Sequence, residues 1–576
     1  MGGIFLKQVN DRFSIPRETI FMKSNILNSL LAAALLAACV SQPERVAETM
    51  SPNPPTRIIG TSTQASEGLW VGSAVPESMR NAAKAWGINL VGSSNRSKYQ
   101  LDVAAEGSKW IYALVAPFPT AMDDVLFADL ISTWEGVTAG RMAGRALLMT
   151  DTTLEAFTGL WGSPAAGAVR TVPADLILDI AWKEMPSWAI IPFEEIQPKW
   201  KVLTVDGQSP VRRDFDPETY PLVVHFSLSP EINLTLPETN RDPEKLVTVI
   251  LTGVTALVRA TAVTMELKGV TYPGSLIGDW LREADIAHIS NEVPFDKDCP
   301  FPSPGHRNFI LCSNPNYLDL LLDVGVDIVE LTGDHFADRG TQAMFDTLAL
   351  YDQYGIPYYG GGANALEAQQ PLLLEVNGTN LAFMGCNGKR SGKYPKATSN
   401  TPGAADCDYD FFEAQIRTLS SEGYLVIFTF QHEECYSSGP CFSHESGFHA
   451  VADAGATIVS GSQAHYPHIM EFRGDSFIHY GLGNLFFDQM TYPLENGLVI
   501  DQTRREFLDR HVFYDGRYLG VELLTAMLED FARPRPMNER EREAFLLDYF
   551  YFSGFTPFSP TPLPQPTITL TPIQLP

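Results

Sequence analysis

The sequence predicts an α/β protein in which a smaller α/β domain precedes a larger, layered one. Three observations carry this. Short apolar, β-branched runs alternate with helix-length segments from Leu246 to beyond Asn484. At 576 residues the chain is longer than one hydrophobic core usually supports. A polar, proline-containing stretch from Glu238 to Lys245 separates two regions of globular pattern.

In chain order, Met22-Lys23-Ser24 opens a segment whose apolar run, Ile26 to Ala38, has signal-peptide rather than membrane-spanning length. It ends Leu36-Ala37-Ala38-Cys39, which resembles a bacterial lipobox; the alternative is an ordinary signal peptide with a chance cysteine. Residues 1–45 therefore read as signal peptide and lipobox, with Cys39 the site of lipidation and residues 1–21 an upstream extension or a misassigned start. The expectation is an exported protein, anchored through lipid on the outer side of the cytoplasmic membrane or on the cell surface. Residues 46–66, rich in Pro, Ser and Thr, form a flexible tether.

Residues 67–237 form the smaller α/β domain, with strands expected at Leu69 to Val75, Ser108 to Pro117 and Ala189 to Pro192. Helices are expected at Glu77 to Trp86, Met122 to Glu135 and Thr153 to Leu160. Residues 246–550 form the larger domain, with helices at Leu276 to Arg282, Pro315 to Val324, Gln342 to Tyr354, Phe411 to Glu422 and Gly447 to Ala454. A terminal helix is expected at Met537 to Tyr551, and 551–576 is a Pro/Thr-rich tail that cannot bury a core.

The formal net charge is -27, from 68 acidic against 41 basic residues, which argues against a nucleic-acid partner. Seven cysteines are present, and assigning Cys39 to lipid leaves six, an even number that suggests disulfides in an oxidising compartment. The sequence leaves their connectivity open. The local choices are Cys299 with Cys312, Cys386 with Cys407, and Cys435 with Cys441.

The chemistry gathers where strand-like runs of the larger domain end. Ala284 to Ser290 runs into Asn291-Glu292, and Val326 to Thr332 runs into Gly333-Asp334-His335 and then Asp338. His432-Glu433-Glu434 and the stretch holding His465 and His468 follow two further runs. Thr252-Gly253-Val254 with Arg259, and Asn484 leading to Asp488, complete the set. Ligands collect at the carboxyl ends of strands in open α/β sheets, so these clusters are expected to face one crevice. Carboxylates, imidazoles and amide oxygens suit Mn, Fe, Zn or Mg, and two such ions could polarise a phosphoryl or acyl group.

The order of these clusters resembles the CapA family of poly-γ-glutamate capsule synthesis proteins, whose fold is that of the calcineurin-like metallophosphoesterases. Asn291 and Glu292 match its Asn-Leu-Glu element without the Leu, and Gly333, Asp334, His335, Asp338 and Gly340 its Ala-Asn-Asn-His-x-x-Asp-x-Gly element. His432 and Glu434 stand for His-x-Gly-x-Glu, and Tyr480 to Asp488 reproduces the closing Tyr-x-Leu-Gly-Asn-Phe-x-Phe-Asp almost throughout. Two departures stand out. Gly253-Val254 replaces Gly-Asp, and His465-Tyr466-Pro467-His468 spaces two imidazoles one residue further apart than His-Pro-His.

The resemblance implies a four-layer α/β sandwich and a role in synthesis, export or anchoring of an anionic capsule polymer such as poly-γ-glutamate. The partners it implies are the polymer or its synthesis machinery. The implied chemistry is that of a metal-dependent hydrolase. His335 and Asp338 would be catalytic, and Glu292, Asn291, Asp334, His432, His465 and His468 would hold one or two divalent metals. Asn484, Asp488 and Arg259 would support the site. The alternative is a non-catalytic polymer-binding or scaffold protein, because Val254 removes a carboxylate. In the smaller domain, Trp188 to Phe193, Trp200 to Gly207, Tyr220 to Leu222 and Phe127 to Gly136 resemble phosphate-type periplasmic solute-binding proteins.

Overall fold

The computed structural model describes residues 66–556, apart from 138–141, 143, 231–233, 305–310, 391, 393, 442–443 and 494–496. The signal segment with Cys39, the tether up to residue 65 and the tail from residue 557 lie outside the described residues. Among the described residues no helix is long and apolar enough to cross a membrane.

Strand periodicity builds the larger region. Along Leu246–Leu251, Val247, Val249 and Leu251 point to one face and Ile250 to the other, and all are buried. A strand buried on both faces needs a layer on each side. One side is the second sheet, and the other is helical.

The first sheet runs Tyr358–Tyr359, Ile328–Glu330, Ile286–Asn291, Leu246–Leu251, Arg505–Tyr514, Arg517–Glu529, Arg533–Pro536, with Val254–Thr255 bridging Ile286–Asn291 to Asn484–Phe486. The second runs Leu372–Val376, Thr379–Asn387, Leu425–Gln431, Ile458–Ser460, Ser476–His479, Met470–Arg473. Between them pack Val247, Val249, Ile286, Phe383, Ile427, Phe477 and Phe507. Arg259–Lys268, Leu318–Asp323 and Gly340–Tyr354 cover the outer face of the first sheet through Met265, Leu321 and Leu348. Tyr409–Ser421 and Glu445–Ala454 cover the second through Phe412, Ile416 and Val451. The result is the expected four-layer sandwich.

A smaller mixed sheet precedes it, ordered Ser66–Val71, Ser97–Ala104, Val223–Ser229, Ser108–Pro117, Ala189–Pro192, Leu147–Met149, Val169–Thr171. All described residues fall within one compact unit. The smaller sheet's core includes Leu246, Val512 and Tyr514 of the sandwich. Asp123 meets Lys201 at 2.7 Å and also pairs with Arg542 of the last helix. The polar stretch expected to separate the domains is itself tied down. Arg241 is buried and donates to the carbonyls of Pro210 and Arg212, and Asn240 bonds both backbone groups of Ile111.

Most expected helices appear within a few residues of their predicted ends. Arg259–Lys268 and the hairpin of Arg505–Tyr514 with Arg517–Glu529 were not anticipated. The last helix, Glu539–Phe552, begins with a capping box between Asn538 and Glu541. Asn538→Ala should lower the unfolding free energy by about 1 kcal/mol, read by urea denaturation. Cysteines pair as Cys299–Cys312, Cys386–Cys407 and Cys435–Cys441.

Candidate functional site

Loops leaving the carboxyl ends of strands in both sheets converge. Ile286–Asn291 delivers Glu292, and Ile328–Glu330 delivers Asp334 and His335. A Cβ at Gly333 would lie 2.5 Å from the Glu292 carbonyl oxygen, so glycine allows these two loops to touch. From the second sheet, Thr379–Asn387 leads to Lys389, Leu425–Gln431 to Glu434, and Ile458–Ser460 to His465.

Ligand atoms of Glu292, Asp334 and His335 all lie within 4.8 Å of one another. His465 Nε2 stands 3.4 Å from Glu292 Oε1 and 3.8 Å from Glu434 Oε1. His465 is oriented from behind by Asn484, whose Oδ1 is 2.8 Å from Nδ1. His335 Nδ1 is 2.7 Å from Asp338 Oδ2, which also accepts the Leu311 N–H. Asp334 accepts from Gln431 Nε2 at 2.7 Å and from Lys389 Nζ at 2.6 Å, and the same ammonium reaches Glu434 at 3.1 Å.

The electrostatics follow from burial set against charge. Burial raises the Glu292 carboxyl, yet His465, His335 and Lys389 outweigh it and hold it below the usual carboxylate range. Burial opposes the charge on His335, but the bond to Asp338 and the fields of Glu292 and Asp334 push it up to about 9. His465 is raised against burial by Glu292 and Glu434. Both Glu292 carboxylate oxygens are buried and accept no hydrogen bond.

That carboxylate, free of hydrogen bonds and with Asp334, His335 and His465 around it, is part of a donor set that fits one divalent ion. At the position of the family's Gly-Asp, Val254 is buried in a short strand between Ser290 and Asn484 and offers no ligand. On the same side as Asp334 and Glu434, a second positive charge is already present as Lys389.

Other candidate residues make different contacts. Asn291 is buried and donates to the Val293 carbonyl. His432 stacks on His444 with ring centroids 4.3 Å apart, and burial followed by His444 lowers its pKa to about 3. His468 Nε2 is 2.9 Å from the Cys435 carbonyl, which ties it to the loop that follows His432. Arg259 and Asp488 pair with each other at the start of the helix Arg259–Lys268, where Asp488 also accepts the Ala260 N–H.

Sequence reasoning missed Lys389 and Gln431. Their signal was positional: Gln431 ends its strand, and Lys389 lies two residues past the end of another, like the residues that were singled out.

In the smaller region a cavity of about 430 Å³ is lined by Glu77, Asp151, Glu195 and several threonines, with no lysine or arginine among its described lining. Burial, then Glu194, raises the Glu195 carboxyl to about 7.

The four-layer α/β sandwich thus brings strand ends of two stacked sheets over one carboxylate and imidazole cluster. Residues 248–489 match the family described as Bacterial capsule synthesis protein PGA_cap. The chain is 27% identical over 231 residues to the PGA biosynthesis protein CapA of Bacillus subtilis (strain 168), covering 39% of this chain and 59% of that protein. It is 25% identical over 262 residues to the capsule biosynthesis protein CapA of Bacillus anthracis, covering 44% of this chain and 62% of that one. The match thus spans about three fifths of each relative. An ABC-type phosphate transport receptor from Vibrio cholerae aligns over 29% of this chain and 89% of its own, at 12% identity and a TM-score of 0.23.

Proposed function

We propose that this protein acts in capsule biosynthesis, exported and lipid-anchored at Cys39, and cleaves a bond in an anionic polymer such as poly-γ-glutamate, or in its precursor, with the help of one divalent metal. The observation that carries this reading is the buried Glu292 carboxylate without a hydrogen bond, facing His465, Asp334 and His335. Glu292, Asp334 and His465 would hold the ion. Bound there, it would supply Lewis-acid polarisation of a phosphoryl or acyl oxygen.

The chain's own residues do the rest. Asp338 fixes the His335 ring through Nδ1 and leaves Nε2 to pass a proton to the departing group. Lys389 holds Asp334 and Glu434 in place and offsets their charge, so an anionic substrate meets less repulsion. Asn484 keeps His465 turned toward Glu292.

Elemental mass spectrometry of protein purified with added manganese should find one metal per chain. His335→Ala should then lower turnover of a phosphodiester or γ-glutamyl amide by about a hundredfold or more. A second reading, a non-catalytic polymer-binding protein, is favoured by Val254 and by the ammonium of Lys389 among the carboxylates. Protein that takes up no metal and supports capsule formation without His335 would establish it in place of the first.

A further inference from the structure

Beyond the carboxylate cluster, the loop that carries Glu434 holds a second set of metal-capable side chains. The sulfurs of Cys435 and Cys441 and a ring nitrogen of His444 lie within 4.8 Å of one another. The two cysteines are joined as a disulfide and are partly exposed, whereas His444 is buried. Beside them the His432 ring lies 4.3 Å from His444, and its buried Nε2 has no hydrogen-bond partner. A buried ring nitrogen without a partner is a lone pair or a proton held out of water for no gain, unless something else occupies its direction.

We propose that Cys435, Cys441 and His444 form a redox-gated metal site: a disulfide when oxidised, and two thiolates with one imidazole, binding a zinc-class or Cu(I)-class ion, when reduced. Two sulfurs and a nitrogen select soft or borderline ions over the hard ones that suit the carboxylate cluster. His432 or water completes the coordination. The proposal does not depend on catalysis at Glu292.

The chemistry balances with a dithiol as the reductant. Its two thiols transfer two electrons and two protons to the Cys435–Cys441 bond, yielding two cysteine thiols and the dithiol's own disulfide. Metal binding then displaces both cysteine protons to solvent as the thiolates form. Both cysteines are partly exposed, which leaves the bond open to that attack.

The physical consequence is that either link closes the same short loop. With the disulfide broken, the loop that starts one residue after Glu434 loses its covalent closure, and a bridging metal restores it. The loop would thus keep its place at the site through a change in redox state.

Cobalt(II) is the probe that tests this. Full-length protein reduced with a water-soluble phosphine, desalted without air and titrated with cobalt should develop sulfur-to-cobalt charge-transfer absorption in the near ultraviolet. Unreduced protein should show none. The carboxylate cluster holds no sulfur, so its filling or failure to fill cannot produce or hide this signal. The band should disappear in Cys441→Ser and weaken at least tenfold in apparent affinity in His444→Ala, but persist in Cys299→Ser.

Reduced wild-type protein that keeps its near-ultraviolet circular dichroism yet gives no band would overturn the proposal. A band that survives Cys441→Ser, or that is lost in Cys299→Ser, would overturn it equally.

Discussion

Lys389→Met will lower the unfolding free energy by about 3 kcal/mol when metal is chelated, and manganese will restore most of it. The Lys389 side chain is only 6% exposed, and its ammonium touches Asp334 and Glu434, which are 13% and 32% exposed. Burial works against its charge, but Asp334 and Glu434 outweigh burial and hold its pKa above the ordinary lysine value. Methionine fills similar space and removes the charge, which leaves the carboxylates facing one another across a partly buried site.

Breaking a buried pair costs more than the pair contributes, because the partner's desolvation is no longer offset. A divalent cation held by Glu292, Asp334 and His465 would supply the missing charge beside Asp334, so the variant should bind manganese at least tenfold more tightly than the parent. Urea denaturation with chelator and with manganese measures both effects. A variant as stable as the parent in chelator would remove Lys389 from the account of the site. A loss that manganese leaves untouched would show that the ammonium and a metal do not share Asp334.

Glu506→Gln will flatten the fall in stability as pH rises above 4.5. Glu506 sits in Arg505–Tyr514 opposite Ala526, 1% exposed, on the helix-covered face with Leu508. Neither of its carboxylate oxygens has a partner, and burial raises its pKa well above 4.5. Above pH 4.5 the unfolded chain releases this proton while the folded chain keeps it. The folded state then binds more protons, so stability is greatest below that pH and declines as pH rises toward the folded value.

The decline from one such group is about 1.4 kcal/mol per pH unit while the mismatch lasts. Glutamine does not titrate, so the variant's stability should fall less steeply than the parent's as pH rises. Guanidinium denaturation at several pH values gives the two slopes. Parallel slopes would mean that Glu506 ionises in the folded protein.

Much of the sandwich was legible because its strands are local patterns. An apolar run such as Val326 to Leu331, followed by Gly333, Asp334 and His335, announces a strand and its polar end within ten residues. The hairpin after residue 505 was not legible for a related reason. Its sheet-facing positions alternate Phe507, Asp509, His511 and Phe513, and the two polar ones break the apolar period. Tertiary contacts accommodate them, with His479 meeting Asp509 at 2.7 Å and His511 meeting Tyr518 at 3.0 Å. The helix Arg259–Lys268 was hidden because its residues carry little apolar periodicity and its first residue, Arg259, takes a left-handed φ of 46°.

For the site, the sequence by itself determined the kinds of donor and the strand ends that present them: Glu292, Asp334, His335 and His465 stand where a run of β-branched residues stops. Only the tertiary structure decided which of them meet. Asp334 and Lys389 are 55 residues apart and belong to different sheets, yet lie 2.6 Å apart across the crevice. His465 and Asn484 are joined in the same way. His432 and His468, of the same residue type and on neighbouring loops, are turned to a stacked ring and a backbone carbonyl instead. A side chain's identity and the end of its strand are set by nearby residues, whereas the group it faces is set by how two sheets pack, and no short stretch of sequence encodes that distance.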